Sequence, residues 1–156
     1  MAEKMEIEPG DRQILDALQH NGRISNQELA ESVAMSASAC WRRVRALEQA
    51  GVIERYTAVI NPDACGLGFH AMVHVVLSRH QADHVESFIA AVMTRPEVLD
   101  CFATTGDADY HLRVRCRDLG AYNQFLEKFL FALKGVSTVK TNLILRQLKH
   151  ETRLPV

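Results

Sequence analysis

A stretch rich in arginine and serine runs from Ser36 to Gly51, and its side chains are well suited to contact a polyanion. Guanidinium groups can form bidentate hydrogen bonds with guanine or with phosphates, and small side chains allow close approach to base edges. The candidate DNA contacts here are Ser36, Ser38, Ala39, Arg42, Arg43 and Arg45. Upstream, Arg23 and Ser25 are candidates for phosphate contact, because a capped helix start favours anions. The competing interpretations are a solvated helix face and, for Ser25, a plain helix cap.

A second group with usable chemistry lies at residues 104–110. Its carboxylates can accept the ammonium group of an amino acid, and backbone amides in a tight turn can bind the carboxylate. The candidate effector-binding residues are Thr104, Thr105, Gly106, Asp107, Ala108, Asp109 and Tyr110. Glycine and aspartate are also the standard residues of hairpin turns, so an ordinary turn stays open as the alternative.

The histidines and cysteines predict neither a metal site nor a catalytic site. His70 and His74 are four residues apart on one strand face, about 13 Å at ~3.3 Å per residue, which is too far to share a metal. His80 and His84 can meet at a helix start but lack a third ligand nearby. The four cysteines are scattered without a C-x-x-C pair, which is typical of a reducing compartment. We therefore predict no cofactor and no enzymatic activity.

Composition places the 156-residue chain among globular proteins, with 47% hydrophobic and 24% charged residues. The formal net charge of −1 gives no overall basic signature, so any DNA contact must come from a local patch. No apolar run approaches the ~20 residues of a membrane span. The acidic N-terminus lacks the layout of a signal peptide. These features predict a cytoplasmic protein without a membrane partner.

Three helices are predicted to position the arginines. The first begins at Asp11, and the second is capped by Ser25 in the spacing of a capping box. The third is capped by Ser36 and ends at Gly51. Their apolar stripes are Ile14, Leu15 and Leu18; Leu29, Ala30 and Val33; and Cys40, Val44 and Leu47. Trp41 lies beside the third stripe and is predicted to pack there. The second and third helices form a helix-turn-helix.

The hydrophobic pattern of the rest of the chain predicts a sheet with helices. Strands are predicted over 52–60, 69–77, 98–105, 110–116 and 136–148, with helices following residues 84 and 118. The order after residue 68 is the ferredoxin-like βαββαβ arrangement, an antiparallel sheet with helices on one face. The predicted fold class is therefore α+β. Its domains are a winged helix-turn-helix at 9–60, a hinge at 61–68 and a ferredoxin-like effector-binding and oligomerisation domain at 69–150. The uncovered sheet face invites a second copy of the chain.

Several motifs resemble those of the Lrp/AsnC family of bacterial and archaeal regulators. They are Asn-Gly-Arg-Ile-Ser-Asn-Gln-Glu-Leu-Ala at 21–30, Cys-Trp-Arg-Arg-Val-Arg-Ala-Leu-Glu at 40–48, Thr-Gly-Asp-Ala-Asp-Tyr at 105–110 and Leu-Lys-Gly-Val at 133–136. The resemblance extends from about residue 9 to 150. The chain departs from it at residues 34–37, where the family often has Gly-Leu-Ser-Pro, and at Ala39, where it often has proline. These changes alter the helix entry and the small side chains nearest the bases.

The resemblance implies a regulator that binds double-stranded DNA and an amino-acid-like effector. It further implies dimers through the second-domain sheets, often assembled into octamers, with effectors at dimer–dimer contacts near the Gly-Asp-x-Asp turn. Such a protein associates with the bacterial or archaeal nucleoid. Two alternatives stay open: a nucleoid-architectural DNA-binding protein with little effector response, and an enzyme resembling sirohaem decarboxylases on the same scaffold.

Overall fold

The structure, a computed structural model, describes residues 6–78 and 82–156 of the chain. It divides into two compact units. One contains the described residues up to Val59 together with His150–Val156, and the other contains Ile60–Lys149. His80, one member of a histidine pair considered above, lies outside the described residues.

Within its described residues, the first unit contains three helices: α1 (Pro9–His20), α2 (Asn26–Ser32) and α3 (Ala37–Gln49). Proline at the first position of α1 has a φ preorganised for a helix and lacks only an N–H that needs no intrahelical partner. The predicted cap on α3 is confirmed, since the Ser36 hydroxyl accepts a hydrogen bond from the Ala39 backbone N–H at 3.3 Å. Helix α1 begins two residues before the predicted start at Asp11, because Glu8 is its N-cap and proline is favoured at the first helical position. Helices α2 and α3 begin directly after the predicted caps Ser25 and Ser36.

The core of the first unit lies where the three apolar stripes meet. Ile14, Leu29 and Leu47, one from each helix, are 0–1% exposed. Burial of each of these side chains stabilises the folded unit by about 1.5–3 kcal/mol, because its apolar surface is removed from water. Tertiary packing, more than helix propensity, thus holds these short helices in place.

The turn between α2 and α3 contains an unusual backbone conformation. Ala34 has a φ of 52°, in the left-handed region that glycine adopts most readily. Its N–H donates to the Glu31 carbonyl at 3.2 Å, and the following Met35 N–H donates to the Ala30 carbonyl at 2.9 Å. These bonds satisfy the end of α2 and hold the tight turn in spite of the strain.

The segment after α3 differs from the sequence-based expectation. The strand predicted over 52–60 is not formed, because these residues have no neighbouring strand in the described part of the chain. The segment has no regular secondary structure and exposes several apolar side chains, among them Tyr56, Val59 and Ile60 at 49%, 71% and 63%. An alternating, β-branched sequence favours a strand only when a partner strand supplies hydrogen bonds.

The second unit contains a sheet built, in the described residues, from β1 (Phe69–Leu77), β2 (Val98–Ala103), β3 (Tyr110–Cys116) and β4 (Val136–Leu143). The strand order is β2-β3-β1-β4, and every neighbouring pair is antiparallel. Helices α4 (Ala82–Met93) and α5 (Leu119–Lys128) connect the strands, and a short 3-10 turn at Leu130–Ala132 follows α5. This is the predicted βαββαβ arrangement.

The two faces of this sheet have different environments. Alternate residues of β1 and β3, such as Val73, Val75 and Leu112, are fully buried with Phe88 of α4 and Phe125 of α5. The predicted cap on α5 is confirmed, since the Asp118 carboxylate accepts from the Ala121 N–H at 2.8 Å. The opposite face has no covering helix in the described part of the second unit.

Two strands end earlier than predicted. β2 stops at Ala103 rather than at residue 105, and β4 stops at Leu143 rather than at residue 148. Beyond Leu143, one more ladder bond joins the Ile144 N–H to the His70 carbonyl at 2.9 Å. β1 begins at Phe69, so no strand lies beside the later residues.

Among the described helices, none is both long and apolar enough to cross a membrane.

Candidate functional site

Helix α3 separates its side chains into a packing face and an exposed face. Cys40, Val44 and Leu47 are buried against α1 and α2. Ser38 and Arg42 are exposed on the opposite side, and Ala39 is half-buried. The helix therefore presents small residues in its first turn and a guanidinium one turn further along, which is the arrangement that DNA-reading helices use in the major groove.

Of the three arginines on α3, Arg42 and Arg45 have guanidinium groups that face solvent. Arg42 is exposed, and no carboxylate among the described residues pairs with it. Arg45 lies over the ring of Trp41 at 5.5 Å and approaches the Glu48 carboxylate at 3.9 Å. Trp41 is 51% exposed. The packing predicted for Trp41 is therefore wrong, since the ring supports Arg45 at the surface rather than filling the core.

Arg43 has a different environment from its neighbours. Its Nη1 lies 2.9 Å from Asp11 Oδ1, and its Nη2 lies 2.9 Å from Glu8 Oε2. The hydrogen bond to Asp11 is the main cause of a raised pKa for the Arg43 guanidinium, and the hydrogen bond to Glu8 is the second. The same Asp11 carboxylate accepts the Glu8 backbone N–H at 3.2 Å. Arg43 thus binds α3 to the start of α1 through both terminal nitrogens of its guanidinium group.

Ser25 and Arg23 precede the second helix. The Ser25 hydroxyl accepts the Glu28 N–H at 3.2 Å, and the Ser25 N–H donates to the Glu28 carboxylate at 2.9 Å. These bonds form the predicted capping box and lower the pKa of Glu28. Arg23 is exposed. Ser25 therefore serves as the cap of α2, and the Arg23 guanidinium near the same helix start pairs with no carboxylate among the described residues.

The Gly106 turn joins β2 to β3 and is tied together by its own hydrogen bonds. The Thr104 hydroxyl donates to the Ala108 carbonyl at 3.1 Å, and the Thr104 N–H donates to the Asp109 carbonyl at 3.0 Å. Gly106 has a φ of 119°, which side-chain-bearing residues rarely adopt. Ala108 is only 8% exposed. The turn is therefore a preformed loop whose outer surface includes Thr105 and Asp107.

The two carboxylates of this turn have separate environments. Asp109 is half-buried, and its carboxylate accepts the Leu77 N–H at 2.8 Å at the end of β1. Its own N–H donates to the Val75 carbonyl at 3.0 Å. Asp107 is exposed to solvent. Asp109 therefore anchors the turn to the sheet, whereas the Asp107 side chain extends into solvent.

Tyr110, the last predicted effector residue, begins β3. Its ring packs against Phe88 of α4, with the ring centroids 4.8 Å apart. The ring therefore belongs to the wall of the core just below the turn. The Tyr110 backbone pairs with Ala103 and Val75, which fixes the two ends of the turn in register.

The open face of the sheet carries a polar cluster that the sequence analysis did not single out. His74 and His111 meet edge to face, with ring centroids 4.6 Å apart, and the His74 Nε2 lies 3.1 Å from the Asn142 amide nitrogen. Arg113 pairs with Asp100 in the same layer. Burial, then the charges of His111 and Lys140, lowers the pKa of His74. The alternation of β3 and β4 was the available signal for this cluster.

His70 lies on the same strand as His74 but is only 5% exposed. Burial is the main cause of its lowered pKa, followed by the nearby positive charges of Arg115 and Arg113. Over the described range, no three His, Cys, Asp or Glu side chains converge in a way that could hold a metal ion. Cys40 and Cys116 are buried free thiols.

A helix-turn-helix unit with exposed arginines, joined to a ferredoxin-like unit with one open sheet face, is the architecture of a DNA-binding regulator with a ligand-binding domain. Comparison with known families agrees for both units. The family model for the winged helix-turn-helix DNA-binding domain matches residues 11–54. The model for the Lrp/AsnC ligand binding domain matches residues 70–154. The chain belongs to the Lrp/AsnC family of transcriptional regulators.

Individual relatives are similar over almost the whole chain. The leucine-responsive regulatory protein of Salmonella typhimurium is 39% identical over 146 residues, which cover 94% of this chain and 89% of that protein. The protein of the same name from Escherichia coli K12 is 38% identical over the same coverage. These relatives are named as regulators and not as enzymes.

Solved structures show the same architecture. A transcriptional regulator from Neisseria meningitidis, in complex with L-Met, superposes with a TM-score of 0.92 at 39% identity, covering 96% of this chain and 97% of that one. AsnC of Escherichia coli superposes with a TM-score of 0.87 at 26% identity, covering 95% and 98%. The helix-turn-helix and the four-stranded unit thus occur together in solved regulators.

Proposed function

We propose that α3 reads DNA through Ser38, Ala39, Arg42 and Arg45, with Arg23 on phosphate. The main support for this proposal is the exposure of Arg42 and Arg45 on the face opposite the buried stripe. Arg43 has a positioning role in this proposal, because its donors bind Asp11 and Glu8. The small residues at the start of α3 allow close approach to base edges.

The working unit is a dimer formed through the open sheet face. That face presents His74, His111 and Phe102, the last of them 52% exposed, without a covering element in the described part of the unit. A two-fold pairing would present two copies of α3 to half-sites about one helical turn of DNA apart. Octamers built from such dimers are the next level of the proposal.

The effector is an amino acid bound at the Gly106 turn. Asp107 accepts its ammonium group, and the backbone amides near Thr105 and Gly106 accept its carboxylate. Support comes from the exposed Asp107 on a rigid turn and from the similar Neisseria meningitidis regulator, which was solved in complex with L-Met. Binding at contacts between subunits would favour one assembly over another and so change DNA affinity by linkage.

The test is fluorescence anisotropy with the DNA upstream of the protein's own gene and a scrambled duplex at the same salt. We expect preference for the upstream DNA and a shift of its affinity when an amino-acid pool is added. Asp107→Ala should remove the shift while leaving DNA preference intact. Equal affinity for both duplexes, with a steep salt dependence, would indicate an architectural DNA-binding protein and overturn the proposal.

The DNA partner also decides the compartment. A regulator that binds chromosomal DNA must share a compartment with it, which in bacteria and archaea is the cytoplasm with its nucleoid. We therefore propose a cytoplasmic, nucleoid-associated protein.

A further inference from the structure

A cleft of about 800 Å³ opens at the end of the β2–β3 hairpin that lies opposite the Gly106 turn. It is bordered by the start of β2, the end of β3, one side of α5 and the segment 60–67. Its volume falls in the range of small-molecule sites, about 300–1,000 Å³. Strand β3 spans seven residues between the turn and the cleft, roughly 20 Å at ~3.3 Å per residue. The cleft is therefore separate from the proposed effector site.

The charges around the cleft are mainly positive. Its lining includes Arg95, Arg115, Arg117 and Lys128, with Glu97 as the carboxylate among the described lining residues. Because cations outnumber carboxylates there, the cleft attracts anions.

Two of these cations are already neutralised by fixed partners. Arg95 binds the Glu97 carboxylate at 2.7 Å, and Arg115 binds the Asp63 carboxylate at 3.2 Å. Arg117 and Lys128 are exposed, and no carboxylate in the described part of the chain pairs with either. These two side chains give the mouth of the cleft its uncompensated positive charge.

The wall of the cleft contains apolar side chains, and contacts of Arg95 and Arg115 fix its position. Phe125 and Leu99 line it, and Leu99 is 47% exposed although it is a large aliphatic side chain. The Arg95 guanidinium lies 4.7 Å from the Phe129 ring centroid and 5.8 Å from that of Phe125, which fixes this side of the cleft. Arg115 also donates to the Leu67 carbonyl at 3.0 Å, so the segment that borders the cleft is tied to β3.

We propose that this cleft binds an organic carboxylate with an apolar body, of the medium-chain or aryl type, and without an ammonium group. The carboxylate is bound at the mouth by Arg117 and Lys128, and the apolar body lies against Leu67 and Leu99. A free amino acid fits less well, because its ammonium group would lie among the cations. This inference does not rest on the proposed effector site.

The first experiment is isothermal titration calorimetry of the intact protein with three probes that share one apolar body. The probes are 4-phenylbutyrate, 4-phenylbutanol and 4-phenylbutylamine. We expect 4-phenylbutyrate to bind once per chain, the alcohol to bind about tenfold more weakly and the amine not to bind. Equal binding of the three probes, or no binding of 4-phenylbutyrate, would overturn the proposal.

Variants locate the binding. Arg117→Gln and Lys128→Gln should each weaken 4-phenylbutyrate binding about tenfold, because each removes a charge-assisted hydrogen bond. Gln124→Trp places an indole at an exposed position that lines the cleft and should abolish binding. Asn123→Trp, at the preceding exposed position outside the lining, is the matched control and should bind normally. Circular dichroism should show equal melting for the two tryptophan variants.

The alternative occupant of the cleft is a second copy of the chain. In that case Gln124→Trp would change the assembly size by light scattering while 4-phenylbutyrate failed to bind the parent protein, and the proposal would be wrong. Asp107→Ala separates this site from the effector turn, since it should leave 4-phenylbutyrate binding unchanged. Loss of probe binding in Asp107→Ala would contradict an independent cleft.

Discussion

Asp11 of α1 and Arg43 of α3 form a 2.9 Å ion pair, and Asp11 is only 2% exposed. Thirty-two residues separate them in sequence. The pair sets the orientation of α3 relative to α1, because a buried carboxylate requires its partner in one geometry. Arginine at position 43 therefore serves the placement of α3, while Arg42 and Arg45 face solvent.

Replacing Asp11 should destabilise the first unit. Asp11→Ala leaves Arg43 without its buried partner and the Glu8 N–H without an acceptor, so we expect a loss of about 2 kcal/mol in unfolding free energy. Asp16→Ala, on the same helix at an exposed position, should cost less than about 0.5 kcal/mol. Urea denaturation followed by Trp41 fluorescence measures both. Equal costs would show that the ion pair does not hold the helices.

The exposed arginines of α3 should affect DNA binding differently from an arginine or lysine elsewhere. Arg42→Gln and Arg45→Gln should weaken DNA binding, by about 1–3 kcal/mol for a base contact, or lower the salt slope by about one for a phosphate contact. Lys134→Gln, an exposed change in the other unit, serves as the control. Anisotropy titrations at several salt concentrations distinguish these outcomes. Unchanged affinity and slope in both arginine variants would remove α3 from the interface.

The two aspartates of the hairpin turn should separate stability from ligand response. Asp109→Ala deprives the Leu77 N–H of its acceptor and should destabilise the second unit by about 1–3 kcal/mol. Asp107→Ala should leave stability within about 0.5 kcal/mol and abolish the effect of amino acids on DNA binding. Hydrogen exchange of β1 and anisotropy provide the two measurements. A stable Asp109→Ala variant would contradict the anchoring role.

Backbone strain in the helix-turn-helix can be relieved. Ala34 has a φ of 52°, so Ala34→Gly should stabilise the first unit by about 0.5–1 kcal/mol. Ala37→Gly, at the start of α3 with helical backbone, should instead be neutral or destabilising by a similar amount. Thermal melting of both variants is the measurement. A loss of stability in Ala34→Gly would show that flexibility gained in the unfolded chain outweighs the strain.

The buried histidines should make the second unit less stable in acid. Burial lowers the pKa of His70 and of His74 below the ordinary value of 6.5. The unfolded chain therefore takes up protons at a higher pH than the folded chain, so stability is complete above about pH 6.5 and is lost as the pH falls below it. His70→Gln should flatten this dependence, measured by hydrogen exchange of the sheet. An unchanged pH profile would exclude His70 as a source.

Local signals were enough to predict most elements. Ser36 and Asp118 each accept a hydrogen bond from the backbone N–H three residues later. Such a cap can be predicted from a window of four residues in the sequence. β1 was predicted over the same residues that form it, because its alternation is bounded by glycine on one side and polar residues on the other. The turn at Gly106 was likewise marked by its own residue types.

Long-range contacts set the limit of that prediction. Nothing near Arg43 in sequence announces Asp11, so three arginines on one helix looked equivalent. The attachment of the C-terminal segment was also missed: the Gln19 side chain donates to the Leu154 carbonyl at 3.1 Å and accepts its N–H at 2.6 Å. Gln19 and Leu154 are 135 residues apart, and no periodicity connects them.

Trp41 is the single tryptophan of the chain, and it lies half-exposed beneath the Arg45 guanidinium. Its emission therefore reports on one unit alone, without any label or added dye. A phosphate or base that draws Arg45 away from the indole should change that emission. Trp41 fluorescence should therefore report on events at α3, and it does not register unfolding confined to the other unit.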